Sequence, residues 1–451
     1  MLLAIEWGVV GIKTAQFILS FSILVVLHEL GHFIPAKLFK CRVEKFYLFF
    51  NPWFSLWKKQ KGETEYGIGW VPFGGYVKIA GMIDESMDKE QMKLPPEPYE
   101  FRSKKPWQRL IIMVGGVVVN IILAIVIFIG IMWVWGEEYL PAKNLKYGIV
   151  ADSLAKQIGL KDGDVVLKVG DKDVKNELKV AGEIIISEAK SITVQRDSQQ
   201  LQIAIPDDFI RSLNKSKGER FVYPRFPYIV GNFDKTSTAE KAGVQKGDRI
   251  LGVDSVKTYF HHEFSAEMKN AKGKKSVLLT LIRNDRDTVK VPVELNSEGK
   301  IGITPLADFA KLGFALETKE YSFVEAIPAG YKMCWNTLGH YITGIKQLFT
   351  GKAKASESLG SVISIGGLFP SEWDWQSFWQ LTAIFSIILA FMNILPIPAL
   401  DGGHALFTIV EMITGRKPSD KFMEYAQMVG MILLLGLMAY ALGLDFLRLF
   451  K

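Results

Sequence analysis

Four apolar stretches constrain what this chain can fold into more than any other feature of its sequence. Ala15–Ile34, Arg109–Trp135, Phe378–Ile397 and Ala426–Leu444 each reach the roughly 20 residues that cross the hydrocarbon core of a bilayer. Ordinary soluble composition separates them, with 49% hydrophobic and 22% charged residues over the whole 451, so membrane helices must be joined to water-exposed domains. A content of 29 Phe and 11 Trp rules out a disordered chain. The first stretch does not read as a cleaved leader: Lys13 is the only Lys or Arg before residue 37, and no small-residue cleavage site follows. Two cysteines, Cys41 and Cys334, make no CxxC pair and are too few for a disulfide framework.

Charge sets the expected orientation. Lys37, Lys40, Arg42, Lys45, Lys58, Lys59 and Lys61, then Arg102, Lys104 and Lys105, crowd the loop after the first span, and Arg416, Lys417 and Lys421 mark the one between the third and fourth. The positive-inside rule puts both loops in the cytoplasm, with both termini and residues 136–375 outside. The net charge of +7 therefore goes with a membrane face and not with nucleic acid. Phe323–Phe349 fails as a fifth span, because Glu325, Lys332, His340 and Lys346 interrupt it. Trp335, Leu338, Ile342, Ile345 and Phe349 recur there at helical spacing, which predicts an amphipathic helix on the membrane surface.

The outer region contains a repeat. Gly159-Leu160-Lys161-Asp162-Gly163-Asp164-Val165 aligns without a gap on Gly243-Val244-Gln245-Lys246-Gly247-Asp248-Arg249, each followed by an alternating strand. Short helical runs ending at Ala155–Ile158 and Ala239–Ala242 precede the copies, and strands are expected at 191–196, 199–205, 276–283 and 288–294. The pair resembles tandem PDZ domains, which bind peptides by adding a strand to a sheet edge and capturing a terminal carboxylate. Tyr147–Val150 and Tyr228–Gly231 are the expected edges. His261-His262 has a metal-like look but is expected to be a solvated helix start.

Chemistry enters at His28-Glu29-Leu30-Gly31-His32, an H-E-x-x-H motif. On a helix, positions i and i+4 share one face, so both imidazoles can bind Zn²⁺ while Glu29 takes a proton from water on the metal. The motif closes an apolar span, where an ionisable side chain costs about 2.5–3.5 kcal/mol or more unless it is paired. Buried structural histidines account for such a cluster poorly. The longer metzincin pattern is absent, since Pro35 and Leu38 occupy the positions of its Gly and His, and a third ligand must come from elsewhere. Asn393-Ile394-Leu395-Pro396-Ile397-Pro398-Ala399-Leu400-Asp401-Gly402-Gly403-His404 is the best source. Its two prolines force the chain to unwind, and irregular backbone at membrane depth occurs only where protein or a cavity surrounds it. Asp401 is the expected ligand and His404 the alternative.

Together the H-E-x-x-H span, the tandem repeat and the Asn393…Leu400-Asp401-Gly402 segment resemble the site-2 protease family, in its bacterial RseP-type branch. The likeness covers nearly the whole chain. It implies a polytopic α-helical membrane protein with four transmembrane helices, two external β-rich PDZ domains and a membrane-associated β region. The expected divisions are 1–135, 136–218, 219–306, a 307–375 linker holding the surface helix, and 376–451. The family also implies Zn²⁺ on His28, His32 and Asp401, catalysis by Glu29, and substrate contacts from Asn393 and from Gly74, Gly75 and Tyr76 in a β region that re-enters the membrane and pairs with extended substrate. The implied function is intramembrane endopeptidase cleavage of single-span membrane proteins, such as anti-sigma factors and remnant signal peptides, at the bacterial inner membrane, with peptide termini or trimmed stubs meeting periplasmic PDZ domains. Val117 stands where the family carries Pro in its Gly-Pro-x-x-Asn, Gly-Phe-Gly is missing near Phe50-Asn51-Pro52, and Ser361-Val362-Ile363 replaces Gly-Pro-Ile. A catalytically inactive PDZ scaffold or chaperone is the alternative, opposed by the intact motif. A membrane-anchored protease acting on soluble proteins is opposed by the motif's depth.

Overall fold

A computed structural model describes residues 7–82, 95–215 and 221–449. They form two compact units, one built from residues up to 136 with 320–345 and 354–451, the other from 137–319 with 346–353. The expected boundary at 218/219 lies outside the described residues.

Among the described residues, four helices of the first unit are long and apolar enough to cross a membrane: α1 (Trp7–Leu38), α2 (Pro106–Val134), α4 (Trp375–Ile394) and α6 (Asp420–Leu449). Their cores agree with the four apolar stretches. The third ends at Ile394 and not at Ile397, because Pro396 and Pro398 deny the backbone two N–H donors. The segment expected to be only a short connection holds another helix, α5 (Asp401–Thr414). Small and hydroxylated residues bring three of these helices together, the usual means by which apolar helices pack closely. Gly31 of α1 meets the backbone of Gly115 and Gly116 in α2. Ser20 and Thr382 hydroxyls join α1 to α4 at 2.8 Å, and Ser386 donates to the Asn120 carbonyl at 2.7 Å, joining α4 to α2. α3 (Phe323–Phe349) packs Ala326 and Cys334 against Ala124, Phe128, Ala383 and Ile387, with Gly330 on the Ile129 backbone.

Between α1 and α2 runs a four-stranded sheet in the order β2 (Trp57–Lys61), β3 (Thr64–Ile68), β1 (Val43–Phe50), β4 (Val71–Ile79). β1 pairs parallel with β3 and antiparallel with β4, which is an edge strand. A Cβ on Gly75 would lie 2.6 Å from Val25 and 3.7 Å from Glu29, so β4 runs alongside α1 and not beyond its end.

The second unit holds the repeat. Each copy has a four-stranded antiparallel sheet: 199–204, 191–196, 165–169 and 172–173 in the first, and 287–294, 276–283, 249–253 and 256–257 in the second. Each adds a two-stranded pair, Ile149–Ala151 with Val222–Pro224 and Val230–Phe233 with Ile303–Pro305. The Gly-Asp signature has a long-range cause. Asp164 accepts two bonds from the Arg196 guanidinium at 2.7 Å and one from Lys161 N–H, while Arg196 also donates to the Gly159 carbonyl. Asp248, Arg283, Gln245 and Gly243 repeat this arrangement. Both carboxylates are buried, where losing one partner costs about 3–5 kcal/mol.

The expected edges at Tyr147–Val150 and Tyr228–Gly231 are already occupied. Ile149 is bonded to Asp164 and Gly163 as well as paired with 222–224, and Val230 is bonded to Asp248 and Gly247 as well as paired with 303–305. Neither segment is a free edge, because the Gly-Asp turn itself occupies the second side.

Glu177 is buried in the first repeat, and neither carboxylate oxygen meets a donor at bonding geometry. Burial pushes its pKa up from 4.5 to about 8, with the Val166 backbone opposing and Glu183 reinforcing. Below pH 4.5 the carboxyl is neutral in both states and its stability contribution is whole. Above that the unfolded chain gives up a proton that the folded state keeps until about pH 8, so stability falls across this window. Glu177→Gln removes the titration. By hydrogen exchange of the 165–169 and 191–196 strands in the full chain, the variant should match the parent near pH 4.5 and be better protected at pH 9. Equal protection at pH 9 would contradict this.

Candidate metal centre

His28 and His32 face one way from α1 and are both buried. His32 Nδ1 lies 2.8 Å from the Ile112 carbonyl, which takes its N–H and leaves Nε2 as the free lone pair. His28 Nδ1 lies 3.1 Å from the Asn120 amide, whose Oδ1 is buried without a partner. Turning that amide so that Oδ1 accepts from Nδ1–H satisfies both groups and again frees Nε2. Room for the two rings comes from Gly116: a Cβ there would stand 2.5 Å from His32 Nε2 and 2.6 Å from His28 Cε1.

Asp401 arrives from the other side of the sequence. After α4 the chain turns through Pro396 and Pro398, and the backbone strain of the bend is taken up at Ala399, a non-glycine residue at φ 82°. Asp401 then opens α5, where a carboxylate suits the helix dipole. Gly402 and Gly403 let this start tuck beneath the carbonyls of Ile394, Leu395 and Ile397.

Asp401 Oδ2 stands 3.2 Å from His28 Nε2 and 3.3 Å from His32 Nε2, and the two nitrogens are 3.3 Å apart. Ligand atoms on a tetrahedral zinc with bonds of about 2.0–2.1 Å are themselves about 3.3 Å apart, so this triangle fits that ion. Asp401 Oδ2 is buried with no hydrogen bond, an orphaned oxygen that a cation would satisfy. Among the described residues this is the one group of three or more His, Cys, Asp or Glu able to hold a metal.

Glu29, His28, His32 and Asp401 line a cavity of about 700 Å³. Gly75 and Tyr76 line it too, whereas Gly74 is not on its wall. The Tyr76 ring stacks between Tyr47 and Phe50, and its hydroxyl donates to Asn51 at 2.9 Å. Asn393 places its amide 3.2 Å from His28 Nε2, beside the ligand triangle. His404 lines the cavity but stands outside the triangle. His262 differs from the expected solvated position: its side chain is 15% exposed and lies 3.5 Å from Asp162. Burial pushes its imidazole pKa down, against the pull of Asp162 and Glu263.

The model of peptidase family M50 matches residues 16–437. The chain belongs to that family. As an M50 peptidase it is a zinc metalloendopeptidase. It is 30% identical to the regulator of sigma-E protease RseP of Escherichia coli K12, covering 96% of this chain and 98% of that one. It is 28% identical to a Neisseria meningitidis protein named for zinc metalloprotease activity and 27% identical to the regulator of sigma E protease of Haemophilus influenzae, each over 96% of this chain and 98% of the relative.

In the sequence, Gly116 and Asn120 stand out only as the ends of the Gly-Val-Val-Val-Asn run that resembles the family's Gly-Pro-x-x-Asn, because neither position shows locally which ring it touches. In this M50 peptidase, Gly116→Ala should lower zinc content at least tenfold while the protein still inserts in membranes. Metal analysis of the purified variant tests this, and full zinc occupancy would contradict it.

Proposed function

We propose that the chain is an intramembrane endopeptidase of regulated intramembrane proteolysis, at a bacterial inner membrane, cleaving single-span membrane proteins. The observation that carries the reading is the meeting of His28, His32 and Asp401 in a cavity among apolar helices. These three residues would hold the zinc, which when bound polarises the scissile carbonyl and acidifies water. Glu29 accepts the proton of the attacking water and returns it to the leaving amine, so that one water is consumed and a carboxylate and an amine are released. Asn393, beside His28, positions the substrate backbone. A helical substrate shields its own carbonyls, and the β4 edge beside Glu29 offers backbone partners to a segment that has unwound. The aromatic tip of the sheet, Trp53, Phe54, Trp57 and Trp70, is exposed, which suits a β region that re-enters the membrane.

The names of its relatives suggest an anti-sigma factor as one substrate, and remnant signal peptides share the same single-span chemistry. The two repeats are read as PDZ domains outside the membrane that exclude bulky ectodomains and admit trimmed stubs.

Glu29→Gln should keep its zinc and lose at least a hundredfold in turnover, because an amide cannot take the proton. Purified variant and parent, compared on a model span with metal analysis alongside, test this; appreciable cleavage by the variant would overturn the role of Glu29. Deleting 139–306 should permit cleavage of an untrimmed substrate, and continued refusal by a stable deletion protein would rule out exclusion by size.

A further inference from the structure

Four positions of α6 are buried among its described residues: Gln427, Gly430, Ala441 and Asp445. Gly430 and Ala441 are small and let the helix approach its neighbours. Asp445 is fully engaged, accepting from the backbone N–H and hydroxyl groups of Ser361 and Ser364 and from Arg448. Gln427 makes no hydrogen bond among the described residues, although it is only 7% exposed. An unpaired amide inside an apolar span is costly, and polar groups kept there face a functional cavity more often than lipid.

Its surroundings say what that function is. Gln427 lines the cavity that also holds His28, Glu29, His32 and Asp401. Gly430, one turn along the same helix face, rests against the Pro398 carbonyl, in the bend that presents Asp401. The fourth span is thus pinned beside the metal ligands by a backbone contact, with a primary amide facing the cavity. An amide has two N–H donors and an acceptor oxygen, the complement of a peptide group. A segment paired on β4 uses alternate backbone groups in that pairing and turns the rest away from the strand.

We propose that Gln427 is a substrate-binding residue, hydrogen-bonding a peptide group of the extended substrate that β4 leaves unpaired. The proposal rests on the proteolytic reading of this cavity and adds the fourth span as part of its recognition surface. Gln427→Met preserves length and approximate volume while removing the hydrogen bonds.

The test uses the full chain in detergent. Zinc content and KM and kcat on a model span are measured for parent and Gln427→Met. Binding of the labelled span is measured with zinc-loaded Glu29→Gln, with and without Gln427→Met. A set of spans with single backbone esters in place of amides near the cleaved bond is compared on both proteins. Gln427→Met should retain zinc, raise KM and weaken binding up to about tenfold, and change kcat less. One ester should weaken the parent by a similar factor and leave the variant indifferent. Loss of zinc by Gln427→Met would show a structural role and overturn the proposal, as would parental KM and binding, or equal ester sensitivity in both proteins. A parent that neither binds nor cleaves any span overturns the proteolytic reading itself, whereas a parent that cleaves beside an equally effective Gln427→Met variant overturns this inference alone.

Discussion

Two helices can touch backbone to backbone only where neither carries a side chain at the crossing. Gly31, Gly115 and Gly116 provide such a crossing between α1 and α2, and the rest of the centre depends on it. The close approach brings the Ile112 carbonyl and the Asn120 amide within reach of His32 and His28 and so directs both Nε2 atoms into one space. A wider crossing would leave two imidazoles without orienting partners and a carboxylate without a counter-charge, each costly in a medium that cannot solvate it. The bend after α4 completes the set, held from below by Gly402 and Gly403 and from the side by Gly430.

The same principle, a buried charge fixed by distant partners, organises the second unit. Each repeat is pinned by one aspartate that grips an arginine at the end of the neighbouring strand and a backbone N–H in its own turn. This explains why the repeat is visible in sequence as Gly-Asp followed by a strand. The glycine permits the left-handed turn, at φ 97° for Gly163 and 89° for Gly247, and the aspartate anchors it.

Local chemistry was legible in the sequence, and long-range geometry was not. The i, i+4 histidines, the paired prolines and Asp401 could be read because their consequences are set within a few residues. The strands at 191–196 and 276–283 followed from alternation alone and agree with the structure. The helix Asp401–Thr414 was hidden because its two glycines suggest a turn, whereas here they allow a tight helix start beneath the carbonyls of the preceding bend. The strand edges were misjudged because one side pairs with residues over 70 positions away, Ala151 with Val222 and Val230 with Pro305, and the other is closed by the Gly-Asp turn of the same repeat. Gln427 lies in an apolar run in which nothing local separates a cavity-facing amide from a lipid-facing one.

The central claim is that His28, His32 and Asp401 hold the zinc of this peptidase. X-ray absorption at the zinc edge, on the full chain in detergent, reads that coordination directly. The account predicts one zinc per chain with two imidazole nitrogens and carboxylate or water oxygen, all at about 2.0–2.2 Å. Sulfur at about 2.3 Å, or an unchanged spectrum at full occupancy in His28→Ala, would contradict it.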